Sequence, residues 1–242
     1  MEVREMGGEV RVVERPGLWE NPLPLPVPIE TGRLVMRPWR LEDASEVFGV
    51  VDGHRAAMVR WLSWPDTDCV DEATCRRKLG GFAAEAAHPS GGMVLLGLFG
   101  REGGGLIGGI GLNAFDRVAH AAEIGYWVRP DRWGEGLATE ACGCLVSSAL
   151  RGGGEGGFGL RRVFVRCDER NAGSRRVPEK LGMRLEARRV DDAWADSGDG
   201  WRTTLEFAVL AGEWDFGSGR ARAGVADCGV VISGGGRGRR GR

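Results

Sequence analysis

The segment PDRWGEGLATEA, residues 130–141, carries two glycines two positions apart, directly before an apolar run with helical spacing. Glycine reaches backbone angles barred to other residues, so Gly134 and Gly136 can turn a strand sharply into a helix that begins at Leu137. The first N–H groups of a helix have no internal acceptor, and the aligned peptide dipoles add roughly half a positive charge there. Such a turn suits an anion, and a pyrophosphate is a natural occupant. No Gly-Lys-Ser/Thr follows, and the pattern is not Gly-x-Gly-x-x-Gly after an early strand, so the mononucleotide and dinucleotide loop readings fail. A phosphate-bearing ligand at the middle of a mixed sheet remains, alongside a tight turn with no ligand at all.

Metal chemistry finds little support. The six cysteines, Cys69, Cys75, Cys142, Cys144, Cys167 and Cys228, are scattered apart from one C-x-C, and His54, His88 and His120 are isolated. Zinc sites want C-x-x-C pairs with further Cys or His nearby, so no metal is expected and the cysteines read as reduced structural thiols. Lys and Arg total 33 against 34 Asp and Glu, a net charge of −1, which leaves no global field for nucleic acid or an acidic membrane. The implied partner is a small molecule or a local peptide. No apolar run approaches the roughly 20 residues that span a bilayer. The start, MEVREMGGEV, lacks the basic-then-apolar order of a signal peptide. A cytoplasmic protein without membrane contact is expected.

The elements that must position the turn follow from periodicity. Residues 1–30 end in ENPLPLPVPIE and read as an extended, proline-rich lead-in. A strand is expected at 33–39, a helix after it with Ala44, Val47, Phe48 and Val51 on one face, and a second helix over 71–87. Apolar runs at 92–100 and 106–113, split by REGGG, suggest a hairpin. A strand over 121–128, the glycine turn and a helix over 137–150 come next. A flexible glycine-rich connection at 152–159 leads to a strand at 161–167. NAGSRRVPEKLGM reads as a short helix capped by Gly182, and two strands around the polar DDAWADSGDG close the domain, which spans 31–214. Residues 215–242, ending GRGRRGR, read as a disordered Gly/Arg-rich tail. RNA or ribosome contact through that basic end is the lesser reading.

Four segments in order resemble one family. AEIGYWVRPDRWGEGLATEA followed by LRRVFVRCDERNAGSRRVPEKLGM is similar to the acetyl-CoA-binding core of the GCN5-related N-acetyltransferases (GNAT), of the RimJ/RimL-type ribosomal-protein branch. The opening TGRLVMRPWRLEDA and the closing WRTTLEFAVLAGEW resemble that branch's first and last elements. The resemblance implies an α+β domain with a bent mixed sheet flanked by helices. It also implies that the strands at 121–128 and 161–167 splay apart to admit acetyl-CoA as co-substrate. It places the pantetheine arm against the backbone at Trp127 and Val128, the pyrophosphate on the amides of Gly134, Glu135, Gly136, Leu137 and Ala138, and Asn171 on the pantetheine amides. Asp131 departs from the family pattern by setting a carboxylate beside the phosphates.

Acetyl transfer from a thioester to an amine needs a neutral amine, stabilisation of the carbonyl oxyanion and a proton for the leaving thiolate. At pH 7 neutralising an α-amine costs roughly 1 kcal/mol and a lysine roughly 4.6 kcal/mol, so an N-terminal acceptor needs only a weak base. Glu123, on the strand lining the cleft, is the first candidate base, with Asp191 and Asp192 as alternatives. By resemblance Ser174 protonates the thiolate; Tyr126 is a second donor candidate. Asn171 and Ser174 also suit plain helix capping. Pro178 inside the short helix removes one backbone hydrogen bond and is the clearest local misfit. The expected activity is acetyl transfer to a protein or peptide α-amine by direct transfer in a ternary complex. The alternatives are a small-molecule amine such as a polyamine or aminoglycoside, and a non-catalytic acyl-CoA-binding sensor.

Overall fold

The computed structural model describes residues 2–6, 9–13, 17–22, 25–88, 90–101, 103–216 and 229–230. Their strands are β1 (Glu2–Met6), β2 (Glu9–Val13), β3 (Ile29–Glu30), β4 (Leu34–Pro38), β5 (Val94–Gly100), β6 (Leu106–Asp116), β7 (Ala121–Val128), β8 (Arg162–Asp168), β9 (Arg184–Trp194), β10 (Trp201–Leu210) and β11 (Gly229–Val230). The helices are α1 (Ala44–Met58), α2 (Glu72–Ala86), α3 (Leu137–Leu150) and α4 (Ala172–Lys180). β1 and β2 form a separate hairpin, and the rest form one mixed sheet in the order β11-β3-β4-β5-β6-β7-β8-β10-β9. Among the described residues its only parallel pair is β7 with β8.

Two apolar layers sandwich this sheet. On one face α3, buried on nearly every side, packs with Ile110, Leu112, Ile124, Val163 and Val165. Its sequence, LATEACGCLVSSAL, spreads small and apolar residues around most of the helix, as a helix covered on nearly all sides requires, with Glu140 as its one charged residue. On the other face α1 and α2 bury Val47, Val51, Met58, Cys75 and Leu79 against Trp39, Phe99 and Leu106. Asp71 caps α2, its Oδ1 accepting from the Thr74 amide at 2.7 Å, which fixes where that helix starts.

Three expectations change. The stretch 1–30 is more than an extended lead-in: Trp19 is buried, stacks on Phe115 with centroids 4.5 Å apart and donates to the Phe158 carbonyl at 2.8 Å. A large aromatic gains more by completing the core than by remaining in solvent. The connection at 152–159 is tied down. Phe158 donates its amide to the Ser148 carbonyl, Gly159 to that of Arg151, and the Phe158 side chain is buried. Cys69 and Cys75 are bonded through their sulfurs across the start of α2, while Cys142 and Cys167 are free and buried. The pair was missed because C-x5-C matches no spacing rule and the N-terminal turn of α2 brings the residues together. The tail lies outside the described residues except for Asp215, Phe216 and β11.

Among the described residues no helix is long and apolar enough to cross a membrane.

Candidate active site

The register of β7 creates the site. Against β6 it pairs along its length, from Val128 opposite Gly108 to Glu123 opposite Asn113. Against β8 it pairs only at Ala121, Ala122 and Glu123, opposite Arg162, Val163 and Phe164. Both strands continue four or five residues further without pairing, so a gap opens between them just past Glu123.

Backbone polarity within the gap follows from antiparallel pairing, in which alternate residues direct both N–H and C=O to the same neighbour. The Arg129 amide donates to the Ile107 carbonyl at 2.9 Å, and the Trp127 carbonyl lies against Gly108. Residues 127 and 129 therefore spend their backbone groups on β6, while Tyr126 and Val128 present theirs to the gap. Of the two residues expected to meet an incoming arm, Val128 presents its backbone groups to the gap and Trp127 presents its own to β6. The Val128 carbonyl already accepts the Trp133 indole N–H at 2.6 Å, so an arm pairing there must share or displace that indole.

At the open end of the gap, Gly134 and Gly136 both have φ near +80°, which L side chains adopt only with strain. Gly136 is the residue preceding α3, and the first turn, with Leu137 and Ala138, leaves its amides directed outward. The Glu135 carboxylate is turned onto Arg132 by two bonds of 2.6 and 2.7 Å, which hold it below the usual carboxylate range. Asp131 is likewise bound by Arg129 at 2.7 Å, with His54 3.3 Å away, and Arg129 keeps its carboxyl low. The charge that departed from the family pattern is locally paired.

Arg33 was not legible in the sequence as part of this loop. Its Nη1 donates to the Glu135 carbonyl at 3.1 Å, and its Nη2 lies 3.9 Å from where a Cβ on Gly136 would sit. Glu140, buried in the first turn of α3, fixes it: it accepts Arg33 Nε at 2.6 Å, the Arg33 amide at 3.1 Å and the Thr31 hydroxyl. A guanidinium thus stands beside the outward amides, and only the return of the chain from β4 to α3 brings it there.

Side chains alternate across a strand. Glu123, Gly125 and Trp127 share the face covered by α1 and α2, and Ile124 and Tyr126 the face covered by α3. The Glu123 carboxylate accepts from Arg166 of β8, at 3.1 Å from Nε and 2.5 Å from Nη2. This hydrogen bond raises Arg166 above its ordinary value, and the charges of Glu206 and Asp192 add to it. Asp192 therefore belongs to the same electrostatic cluster as Glu123. Asp191 and Asp192 are exposed on β9 at a bulge opposite Thr203, where Asp191 takes φ of 48°.

On the opposite face Tyr126 reaches α4. Its hydroxyl donates to the Ser174 carbonyl at 2.9 Å and lies 3.2 Å from Ser174 Oγ. This contact explains Pro178. In a helix the Ser174 carbonyl would accept the N–H of residue 178, which proline lacks, and the tyrosine supplies the missing donor. With the one tyrosine proton on that carbonyl, the Ser174 hydroxyl is the donor in the second contact. Burial raises the Tyr126 hydroxyl well above 10, more than the bond to Ser174 lowers it. Asn171 caps α4, its Oδ1 accepting the Ser174 amide at 3.0 Å. The helix runs unbroken to Lys180, with Gly182 at φ 71° beyond it.

Cys142 and Cys167 carry no nucleophile signature. Burial holds the Cys142 thiol well above its ordinary value and pushes Cys167 up to about 11. Among the described residues no three His, Cys, Asp or Glu side chains gather where they could hold a metal ion.

A mixed sheet whose one parallel pair parts beside an amide-lined loop defines an acyltransferase architecture of the kind the sequence resembles. The sequence model of the acetyltransferase (GNAT) domain matches residues 33–184, and the chain belongs to that family. Among curated relatives, YoaA of Bacillus subtilis (strain 168), an uncharacterized N-acetyltransferase, is 28% identical over 65% of this chain and 83% of its own length. The ribosomal-protein-serine acetyltransferase of Escherichia coli (strain K12) is 31% identical over 38% of this chain. The matched stretch spans only 51% of that relative, and 57% of the Bacillus subtilis protein YdaF. Two solved structures share the fold. A RimL ribosomal L7/L12 alpha-N-protein acetyltransferase in complex with coenzyme A is 19% identical, with TM-score 0.65 over 74% of this chain and 95% of that one. Mycobacterium smegmatis RimJ in complex with CoA-disulfide is 24% identical, with TM-score 0.64 over 77% and 87%.

Proposed function

We propose that this protein is an acetyl-CoA-dependent N-acetyltransferase that transfers acetyl directly to a primary amine, with the α-amine of a protein or peptide as acceptor. The observation that carries the reading is the opening of β7 from β8 just past Glu123, with a candidate base on one face of β7 and a candidate acid on the other. An amine arriving from the α1 and α2 side meets Glu123, and a thiolate leaving toward α4 meets Ser174. The names of the relatives, which include acetyltransferases of ribosomal proteins, support a protein acceptor.

The residues fit the co-substrate. Gly134 has no atom within 4 Å of where a Cβ would be, leaving the backbone open to close approach by a phosphate. The outward amides of Gly134, Glu135, Gly136, Leu137 and Ala138, with the Arg33 guanidinium, supply donors and positive charge for the pyrophosphate. Val128 and Tyr126 offer backbone groups to an extended arm. Acetyl-CoA, when bound, supplies the acyl thioester. Glu123 first takes one proton from the ammonium and passes it to solvent, and the neutral amine then forms the N–C bond as the C–S bond breaks. Ser174 gives its hydroxyl proton to the sulfur, and the second proton lost by nitrogen restores it. Tyr126 holds Ser174 in place and Asn171 fixes the turn that carries it. No covalent enzyme intermediate is formed.

The test is thiol release from acetyl-CoA with free N-terminal peptides, matched N-blocked lysine peptides and small amines, for wild type, Glu123→Gln and Ser174→Ala. Selective release with free N-termini supports the reading. Calorimetric binding of acetyl-CoA with no release on any amine overturns it in favour of a non-catalytic binding module.

A further inference from the structure

On the face of β7 that carries Glu123, a cavity of about 230 Å3 lies between the sheet and helices α1 and α2. Four aromatic side chains from four separate segments wall it: Trp39, Trp64, Phe82 and Trp127. Trp64 and Trp127 meet with centroids 5.4 Å apart at 54°. Its floor is opened by two strand glycines. Gly109 and Gly125 sit on this face in β6 and β7, and a Cβ on Gly109 would lie 2.5 Å from the Trp127 indole nitrogen. Gly125 separates Trp127 from Glu123 on the shared face, so the cavity begins one side-chain step, about 6.8 Å along the strand, from the candidate base.

Resting on the proposed acetyl transfer, we infer that this cavity is the acceptor's selectivity pocket, and that it takes a primary amine bearing a single aromatic ring or a branched aliphatic group next to the nitrogen. Three observations carry this. An apolar cavity of about 150 Å3 suffices for a benzene ring, so 230 Å3 holds a phenylalanine or leucine side chain with room to enter. Of the lining residues only Asp68 and Lys78 are charged, and they neutralise each other at 2.7 Å. A second cationic group, as in a polyamine or aminoglycoside, would therefore enter an aromatic pocket with no free counter-charge, at a desolvation cost. Finally, a side chain seated in the cavity beside the touching Trp64 and Trp127 rings has Gly125 at its edge, so its own α-nitrogen falls on the side of β7 that leads to Glu123. The same chemistry belongs to a protein N-terminus beginning with Phe or Leu and to a free aryl-alkyl amine.

Acetyl transfer is measured on peptides identical except for Gly, Ala, Leu, Phe or Lys at the first position, and on phenethylamine beside ethylamine and spermidine. The expected kcat/KM is about 10- to 100-fold higher for Phe and Leu than for Gly, the range for burying such a side chain. Leu62→Trp, which fills the cavity, is expected to collapse the Phe-to-Gly ratio toward one. Phe82→Ala, which enlarges it, is expected to raise the ratio for a first-position Trp. Circular dichroism melting of both variants separates lost selectivity from lost folding. Preference among peptides with no turnover of phenethylamine identifies a protein N-terminus as the source; the reverse identifies a small amine. Equal rates on Gly and Phe, or a preference for spermidine, overturn the inference while leaving acetyl transfer standing. No transfer to any amine overturns the acetyl-transfer reading itself.

Discussion

The two ends of the gap are built by opposite means. The anion loop at 134–138 is made of consecutive residues, and its chemistry lies in backbone amides exposed by two glycines and the start of one helix. The cavity beside Glu123 is made of side chains from the residue after β4, from α2 and β7 and from the turn after α1, set over two glycines that open the floor. A backbone site tolerates exchange of side chains but not of backbone angles. A side-chain site keeps its shape only while every contributing element stays in place. Variation in the first should therefore alter co-substrate affinity, and variation in the second should alter the choice of acceptor.

Variants that act on one end and spare the other sharpen this contrast. The largest effect is expected from Glu123→Gln, which should lower kcat/KM for α-amine acceptors by about 100-fold or more at pH 7. About 5- to 10-fold of that deficit should disappear as pH rises past about 8, where an α-amine of ordinary pKa is largely neutral. A pH-independent deficit would mean that Glu123 does not act as the base, and the same profile for Asp192→Asn would transfer the role. Ser174→Ala should lower kcat by about 10- to 100-fold with little change in acetyl-CoA affinity. Tyr126→Phe should produce a smaller fall of the same kind, because it loosens the serine without removing it. Gly136→Ala should act on the other end alone. Holding alanine at φ of 78° costs about 1–2 kcal/mol, so KM for acetyl-CoA should rise about 5- to 30-fold while the ranking of acceptors stays fixed. A changed ranking would break the division between the two ends.

The smallest effect concerns stability away from both. Asp168 is buried, which alone would raise its pKa, but hydrogen bonds and charge from Arg170 hold it below the ordinary value. A carboxyl depressed in the folded state adds stability that is complete above its unfolded pKa of about 3.9. That stability is lost as pH falls through the lower folded value. Arg170→Gln should therefore lower Tm by about 1–3 °C at pH 7, with the difference vanishing as pH falls below the lowered folded-state value, as read by thermal melts across pH. The guanidinium is half exposed, which keeps the effect small.

Much of this was legible because it is local. The strand over 121–128 and the helix over 137–150 fall on the same residues in the structure, since alternation and helical spacing report burial by one neighbour at a time. Gly134 and Gly136 could be read as a turn with outward amides because consecutive backbone angles alone produce it. Asn171 and Ser174 could be placed at the head of a helix for the same reason. The polar segment DDAWADSGDG was harder: its first four residues extend β9, because a long hairpin supports polar residues that periodicity alone assigns to a loop.

Pairings between distant segments were not legible. Arg33 lies about a hundred residues before Glu135, and nothing near either announces that they meet. Pro178 reads as a defect until Tyr126, from a strand fifty residues earlier, supplies the donor that proline lacks. Trp127 reads as a backbone partner for the co-substrate until the register with β6 turns its backbone away and its side chain into the cavity. The sequence by itself determined the turn, the helix that follows it and the residue types able to move protons. The tertiary structure alone decided which faces they occupy and what shape of acceptor fits between them, because strand register and helix packing are summed over the whole chain and no local stretch encodes that sum.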